Sequence, residues 1–452
     1  MPVTLCPIAI PDFGSDVAPP PIPASTYAAR CEAARERAGT DWLAVYADRE
    51  HFANMMFLSG FEPRFEEPLL LLGPGSKRIL LTGNECEPYA AVAGLPNLAV
   101  LLCQSFSLMG QDRSRKPSLP ALLRDAGIAA GDSVGLVGWK YLEHDEWDEA
   151  TAPSFFASAV VVDSLRLVCV TVHDGTAVLM HPHDGLRSAV DADQIAAFEW
   201  AATRSSLAIG KIVRGSQPGE SEHAAAARMG CEGDPVNAHF MLSATAPGEA
   251  VIGLRSPSSR VLRRGDGVTT AVSFWGGLSS RAGLLDDQGD AFLIVAKAYF
   301  AGLARWYETA DIGVAGGAIF DAVAATLGSG GLRSALNPGH LTGHDEWTHT
   351  PIRPGSTDTI VSGMPFQVDV IPTPMPAGAA LNCEDAVTFA DATLREELRA
   401  RHPATFARMA ARRTFMRDTL DIAVADSVLP LSSIPMYLPP FWLAPGRLLS
   451  FV

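Results

Sequence analysis

The sequence has few basic residues and few cysteines for its length. Its 35 Lys and Arg are outnumbered by 50 Asp and Glu, which gives a formal net charge of -15. A nucleic-acid partner is therefore not expected, because nucleic-acid-binding proteins rely on positive charge that neutralises phosphates. The seven cysteines are scattered and include no C-x-x-C pair. We therefore expect no disulfide framework, and the reducing cytoplasm as the location.

The sequence also lacks the features of exported or membrane-bound chains. No basic region followed by an apolar run is found near its start, so no signal peptide is predicted. The longest uncharged stretch near the C-terminus, 429–446, contains five prolines, which a membrane-spanning helix would not tolerate. With 48% apolar and 19% charged residues, the composition is typical of a globular protein. We expect no membrane partner.

A chain of 452 residues is too long for one ordinary domain. Strand-like runs such as 42–46 and 133–137 alternate with helical segments such as 119–126, as expected for an α/β domain. The short β-branched run at 159–162 is also predicted to be a strand. These patterns divide the chain into an extended arm at 1–25, an α/β domain at 26–190, a second domain at 191–420 and a Pro/Trp-rich tail at 421–452.

The second domain has a different pattern. A long amphipathic helix is predicted at 191–212, and strand patterns separated by glycine turns follow it. The predicted strands lie at 240–244, 267–273, 366–371 and 386–389, and the predicted helices at 288–306 and 318–327. Helices flanking a curved antiparallel sheet is the simplest arrangement, so the fold class predicted for the whole chain is α+β.

Histidines are sparse, but three of the eleven fall within ten residues: His340, His344 and His349. Pro338 and Gly339 precede them, which indicates a turn or a strand edge that projects side chains into a cavity. The alternative is that all three are solvated loop histidines.

Two carboxylates follow in strand-like surroundings. Asp369 is flanked by apolar residues on both sides, and Glu384 lies in the next strand pattern. A carboxylate inside an apolar strand is costly unless a cation, a metal or hydrogen bonds compensate for its burial. A structural ion pair is one explanation. The convergence of His340 with both carboxylates predicts instead a metal site or an acid–base centre.

The order of these residues resembles the creatinase, aminopeptidase P and methionine aminopeptidase family. The family's Gly-His-x-x-Gly segment, its strand that begins Gly-Met and its Glu-Asp pair match segments 339–343, 363–369 and 384–385. Further matches lie at 57–61, 219–222, 260–266 and 276–281. The resemblance implies a creatinase-like α/β N-terminal domain, a pita-bread C-terminal catalytic domain and a homodimer.

Departures from the family pattern fall on its metal ligands. Metallopeptidases of the family hold two metal ions with two Asp, one His and two further acidic residues. The resemblance places the first Asp at Ala271, and the second at Arg281 or at Ser280, depending on one residue in the hairpin turn. Neither alignment restores a carboxylate. The ligands that remain are His340, Asp369 and Glu384. A two-metal hydrolase is therefore not expected.

Two arrangements are compatible with the remaining residues. In the preferred one, no metal or other cofactor is bound, and Arg281 pairs with Asp369 and Glu384 and helps to hold the substrate. This arrangement is preferred because a guanidinium would repel a nearby cation. In the alternative, one divalent transition metal is bound by His340 and the two carboxylates.

The resemblance also suggests roles for other residues. His340 and His349 are expected to transfer protons, and Asp369 and Glu384 complete the catalytic set. The base of creatinase corresponds here to Leu254 or Arg255, neither of which can take that role. The predicted substrate-binding residues are Arg281, Arg255, His344, Glu346 and Trp347, together with Arg64 and Phe65 from the partner's first domain in a homodimer.

The preferred function is a creatinase-like or aminopeptidase-P-like hydrolase. It would cleave an amide or amidine C–N bond in a small molecule or short peptide, without the usual two-metal centre. The first alternative is a single-metal hydrolase or lyase that uses His340, Asp369 and Glu384. The second is a non-catalytic pseudo-peptidase that binds a peptide or protein. Burial of several charges in one cavity favours an enzyme, and an open groove favours the binding protein.

Overall fold

The structure, a computed structural model, describes residues 2–115, 117–143, 146 and 154–451. The chain forms two compact units. The smaller unit is Ile22–Ser188, and the larger one combines Met1–Pro21 with Ala189–Val452. The larger unit thus contains both ends of the chain. No helix within the described ranges is long and apolar enough to cross a membrane.

The smaller unit follows the first strand of the chain, β1 (Thr4–Pro7), which belongs to the larger unit. Its elements are α1 (Ala24–Ala38), β2 (Trp42–Tyr46), α2 (Ala53–Ser59), β3 (Leu69–Gly73), β4 (Lys77–Thr82), α3 (Cys86–Tyr89), β5 (Ala99–Leu102), α4 (Leu119–Ala126), β6 (Ser133–Val137), α5 (Ala159–Val168), β7 (Thr171–Asp174) and α6 (Ala177–Met180). The sheet has the order β5-β4-β3-β2-β6-β7, with antiparallel pairs at β4-β3 and β3-β2 and parallel pairs elsewhere. Every residue of β2 and β3 is buried, so these central strands form the core of the unit.

One predicted strand of this unit is wrong. The run 159–162 is the first turn of α5, not a strand. Its apolar residues continue at helical spacing, and Val161, Val162, Leu165 and Val168 are all buried. A short β-branched run is typical of a strand, but the apolar residues that follow one and two helical turns later indicate a helix.

The larger unit is built from helices packed on an antiparallel sheet, as the sequence predicts. Its elements after β1 are α7 (Ala192–Gly215), α8 (Glu222–Ala227), β8 (Met241–Thr245), β9 (Gly267–Phe274), β10 (Gly277–Leu284), α9 (Asp290–Thr309), α10 (Gly316–Ser329), β11 (Arg333–Ser334), β12 (His340–Leu341), β13 (Pro365–Val368), β14 (Pro372–Thr373), β15 (Asn382–Phe389), α11 (Ala392–Arg401), α12 (Pro403–Asp418), β16 (Val428–Pro430) and β17 (Arg447–Ser450). The main sheet has the order β12-β13-β15-β10-β9-β8, and β16 also pairs with β15. Two small sheets, β1-β17 and β11-β14, accompany it.

Strand register decides which side chains share a face of this sheet. Ser280 on β10 lies opposite Ala271 on β9 and Glu384 on β15. Asp369 follows the last pair of β13, Val368 with Asp385, and is therefore opposite Glu384. Residues directly opposite each other point to the same face, so Ala271, Ser280, Glu384 and Asp369 form one row. Neighbouring residues, including Arg281, point to the other face.

Helix α7 fixes the hairpin that joins β9 and β10. The helix begins at an Asp191 cap, whose side chain accepts a hydrogen bond from the Gln194 amide. It then packs so closely on the turn that a Cβ on Gly276 would lie 1.8 Å from the Phe198 ring. Gly276 also has φ of 92°, a conformation that favours glycine. The hairpin is therefore held in one position beneath the helix.

Candidate active site

His340 is the centre of a cluster on the sheet face that carries the row. It lies on β12 opposite Gln367, which in turn lies opposite Ala386. The His340 Nδ1 lies 3.2 Å from the Leu341 carbonyl oxygen. Since a carbonyl can only accept a hydrogen bond, this contact assigns the ring proton to Nδ1 and leaves the Nε2 lone pair free to act as a ligand or base.

The environment of His340 keeps the ring neutral. The imidazole stacks on Trp347, with ring centroids 4.0 Å apart and an interplanar angle of 19°. Burial lowers the pKa of His340 to about 4, because a charged ring is poorly solvated there. At pH 7 the ring is therefore a neutral ligand or base, and a poor proton donor. Of the predicted proton-transfer roles of His340, this disfavours that of a proton donor.

Glu346 brings a third carboxylate to the cluster from the loop after β12. Its Oε1 lies 3.6 Å from His340 Nε2, and the Ser273 hydroxyl donates to its Oε2 at 3.4 Å. Ser273 is on β9, two residues beyond Ala271 and on the same face. The Glu346 carboxylate thus reaches the part of the hairpin where the family pattern has an aspartate and this chain has Ala271.

Burial raises the pKa of all three carboxylates of the cluster. Burial raises the pKa of Asp369 to about 7. Burial, and next the Asp369 charge, raise the pKa of Glu346 and Glu384 well above the usual range of a glutamate. Arg281 has the opposite effect on Glu384, but its charge is already matched elsewhere. The cluster therefore collects more negative charge than the described residues neutralise.

Arg281 does not take the predicted position. It points to the opposite face, where its Nη2 donates to both carboxylate oxygens of Asp385 at 2.8 and 2.9 Å. Its other N–H groups donate to the backbone carbonyls of Glu384, Ser280, Ile434 and Tyr437. The side chain is only 1% exposed. The predicted pairing with Asp369 and Glu384 is therefore wrong, and no N–H remains for a substrate.

The row also decides between the two alignments of the hairpin. Ser280 faces Glu384 across the strand pair, so it is the residue that occupies the position of the family's second aspartate. Its hydroxyl accepts a hydrogen bond from the side-chain amide of Asn382 at 3.1 Å. The prediction based on Arg281 failed because a shift of one residue along a strand moves a side chain to the other face.

The remaining predicted residues of the larger unit differ in position. His344 is buried edge-on between Phe198 and Trp275, so it packs beside the hairpin turn. His349 is half-buried, and its Nδ1 accepts a hydrogen bond from the Thr350 amide at 2.8 Å. Arg255 lies in an exposed loop after β8, and among the described residues no contact joins its side chain to the cluster.

Arg64 and Phe65 belong to the smaller unit. The Arg64 Nε donates to the Tyr89 hydroxyl at 3.0 Å and forms an ion pair with Glu62. Phe65 is 64% exposed, which is unusual for so large an apolar side chain. Their predicted role at a partner's pocket stays a prediction.

The donors of the cluster fit one metal ion better than two. Ligand atoms of His340, Glu346 and Glu384 all lie within 4.8 Å of one another. Oxygen atoms of Glu346 and Asp369 are buried and lack a hydrogen-bond partner within the described ranges, as expected where a cation would bind. Two ions would need the carboxylates that Ala271 and Ser280 do not supply. The predicted third donor was Asp369; the compact group contains Glu346 instead.

An antiparallel sheet flanked by helices is the architecture expected for a pita-bread domain. Solved structures confirm the predicted fold. A Xaa-Pro dipeptidase from Bacillus anthracis superposes with a TM-score of 0.60 at 14% identity, over 82% of this chain and 96% of its own. An X-Pro aminopeptidase from Thermotoga maritima gives 0.61 at 15% identity, over 80% and 95%.

A third similar structure is the dipeptidase PepE from Mycobacterium ulcerans, with a TM-score of 0.59, 17% identity, and 83% and 95% of the two chains covered. At such identities the similarity establishes the fold alone: an N-terminal domain followed by a pita-bread domain. No family model and no curated protein matches the sequence.

Proposed function

We propose that the protein is a hydrolase that cleaves a C–N bond in a short peptide or small amide at the cluster on the main sheet. The observation that carries the proposal is the convergence of one imidazole and three carboxylates on one sheet face. They come from β12, the loop after it, the residue that follows β13, and β15. A binding protein has no need for buried groups that oppose one another electrostatically. The enzymatic fold neighbours support the same conclusion.

Each residue of the cluster has a distinct role in this proposal. His340, Glu346 and Glu384 hold the reacting groups, and the Trp347 ring keeps the His340 imidazole in place. Asp369 transfers the proton: it accepts one from the attacking water and returns it to the nitrogen as the C–N bond breaks. Its Oδ1 is buried without a hydrogen-bond partner in the described structure, so it is available for this step. A divalent cation bound there would polarise the carbonyl and activate the water.

Peptides with an Xaa-Pro bond, dipeptides included, are the first substrate class to consider, because two similar structures are named as an Xaa-Pro dipeptidase and an X-Pro aminopeptidase. Amidines are the second, since the creatinase resemblance implies a C–N bond of that type and a cationic amidine suits a carboxylate-rich site. In both cases the substrate is small. The homodimer, the contribution of Arg64 and Phe65 and the cytoplasmic location belong to this proposal as well.

The test is a substrate panel with matched variants. Purified protein is incubated with Xaa-Pro dipeptides, other dipeptides, simple amides and amidines, with added divalent metal or with chelator, and released amines are measured by mass spectrometry. We expect turnover of at least one class, a loss of roughly 100-fold or more in Asp369→Asn, and no change in Glu249→Gln, which alters an exposed carboxylate. The absence of turnover across the panel would contradict the proposal, and an active Asp369→Asn would remove the role of Asp369.

A further inference from the structure

We infer that the protein binds a single divalent transition-metal ion through His340 Nε2 and the carboxylates of Glu346 and Glu384. This site differs from the family's two-metal centre, because its third donor comes from the loop after β12 instead of the hairpin. The inference deepens the proposed function, with which it shares its location. It is tested by a binding measurement that does not depend on turnover.

The first argument is the spacing of the donors. Atoms bound to one ion at about 2.0–2.2 Å lie roughly 3 to 4 Å apart. The three donor atoms already lie within 4.8 Å of one another, so a contraction on the order of 1 Å brings them to bonding distance. The Nδ1 contact with the Leu341 carbonyl presents the unprotonated Nε2 to the ion, as second-shell hydrogen bonds do in metal sites.

The second argument is independent of spacing. The Oδ1 of Asp369 and the Oε1 of Glu346 are buried and have no hydrogen-bond partner in the part of the chain that the structure describes. Asp369 is only 6% exposed, and strand register places it opposite Glu384. Buried anionic oxygens are costly unless a positive charge accompanies them. Arg281, whose positive charge lowers the pKa of Glu384, is itself paired with Asp385.

The third argument concerns the number and type of ion. A second ion would need carboxylates at Ala271 and Ser280, which offer a methyl group and a hydroxyl. One imidazole nitrogen with two carboxylate oxygens suits Mn²⁺, Co²⁺ or Zn²⁺, whereas Ca²⁺ prefers oxygen alone. The Glu346 loop therefore compensates for the missing hairpin acids with one donor.

In the experiment, chelator-treated protein of the whole sequence is titrated with Co²⁺. Binding is monitored by calorimetry and by visible absorption. We expect one equivalent to bind, with the absorption of a low-coordinate ion. Glu346→Gln and Glu384→Gln should weaken binding by more than about tenfold, since even outer-shell partners contribute about 10- to 100-fold. Glu249→Gln is the exposed control and should bind as the parent does. Ca²⁺ should bind far more weakly.

Binding of two equivalents, no binding, or unchanged affinity in a folded Glu346→Gln would overturn the inference. Circular dichroism checks folding, and Glu346→Asp, which retains the charge on a shorter side chain, replaces Glu346→Gln if that variant is unfolded; it should also bind more weakly. The outcomes separate the two proposals. Co²⁺ binding without turnover on the substrate panel contradicts the proposed function only, and turnover without Co²⁺ binding contradicts this inference only.

Discussion

Two neighbouring buried acids on β15, Glu384 and Asp385, differ in whether a positive charge compensates them. Asp385 accepts two hydrogen bonds from Arg281 and one from the Met436 amide at 2.9 Å. Glu384, the preceding residue, points to the other face, where its neighbours are also acids. The first acid is fully compensated and stabilises the structure, whereas the second is left available for a ligand. The proposed function therefore uses only one face of the strand.

The Arg281–Asp385 pair is expected to be structural. Arg281→Met leaves Asp385 buried without its partner, so we expect it to lower the free energy of unfolding by about 3–5 kcal/mol. Adding Asp385→Leu should recover much of this loss, because neither charge then remains buried. Urea denaturation of both variants measures the effect. A folded Arg281→Met with parental stability but impaired substrate binding would restore the role that the sequence suggested.

Asp369 should make the metal-free protein less stable as pH rises. Its pKa is about 7 in the folded protein and about 3.9 when unfolded, so the native state holds the extra proton between these values. Asp369 should therefore contribute a fall in stability from pH 4 to 7 of at most about 1.4 kcal/mol per pH unit. Asp369→Asn should reduce the slope in urea denaturation with chelator present, and the part that remains comes from Glu346 and Glu384, whose pKa values are also raised. Asp321→Asn, at an exposed helix position, should keep it.

At the level of elements, we expect the β9-β10 hairpin to determine how many ions the proposed metal site binds. Its residues Ala271 and Ser280 lie beside Glu384 in one row, and α7 prevents the turn from moving. Replacing both with aspartate would add two carboxylates on the cluster face without changing the backbone. The hairpin thus offers a direct way to alter the stoichiometry.

We expect the double variant Ala271→Asp with Ser280→Asp to bind a second equivalent of Co²⁺. The two new carboxylates would complete a five-ligand set, and bound ions would offset their burial. Calorimetric titration with Co²⁺ measures the stoichiometry, and Ser280→Asp alone serves as the comparison. A folded double variant that still binds one equivalent would show that Ser280 does not occupy the position of the family's second aspartate.

Most elements could be predicted from the sequence, because their apolar periodicity is clear. The helix at 191–212 and the strand at 133–137 both appear close to the predicted bounds. His340 and Glu384 were predicted as site residues from motif order. The register of the β9-β10 hairpin could not be predicted from the sequence. A difference of one residue in the length of the turn decides whether Ser280 or Arg281 is aligned with the family's second aspartate.

The position of Glu346 in the cluster was not predicted from the sequence either. It lies in a loop without periodicity, and its only sequence signal is an acid between two histidines. The sequence suggested it as a substrate-binding residue, but tertiary folding alone brings it to Ser273 and His340. Loops carry functional side chains whose direction the local sequence does not determine.

At the level of the whole molecule, the smaller unit has its own core. Trp42, Leu71, Leu123, Val134 and Leu165 belong to one buried apolar cluster that lies wholly within residues 22–188. Its six-stranded sheet is also complete within this range. These are the properties of a segment that folds alone.

We therefore expect residues 22–188, expressed separately, to unfold cooperatively in urea with a single transition. The matched comparison is the same segment with Leu71→Ala, a fully buried position, which should lose about 2–5 kcal/mol. Circular dichroism and tryptophan fluorescence should report coincident transitions. A non-cooperative profile would mean that the segment needs the larger unit for its stability.

The pairing of β1 with β17 joins Thr4 to Ser450 and Pro7 to Arg447. During translation, the ribosome therefore releases the first strand long before its partner exists. Residues 22–188 emerge in between and can fold as a unit, while β1 remains without its hydrogen-bonding neighbour until residues 447–450 have been synthesised. The β1-β17 sheet therefore forms only after the whole of the smaller unit has left the ribosome.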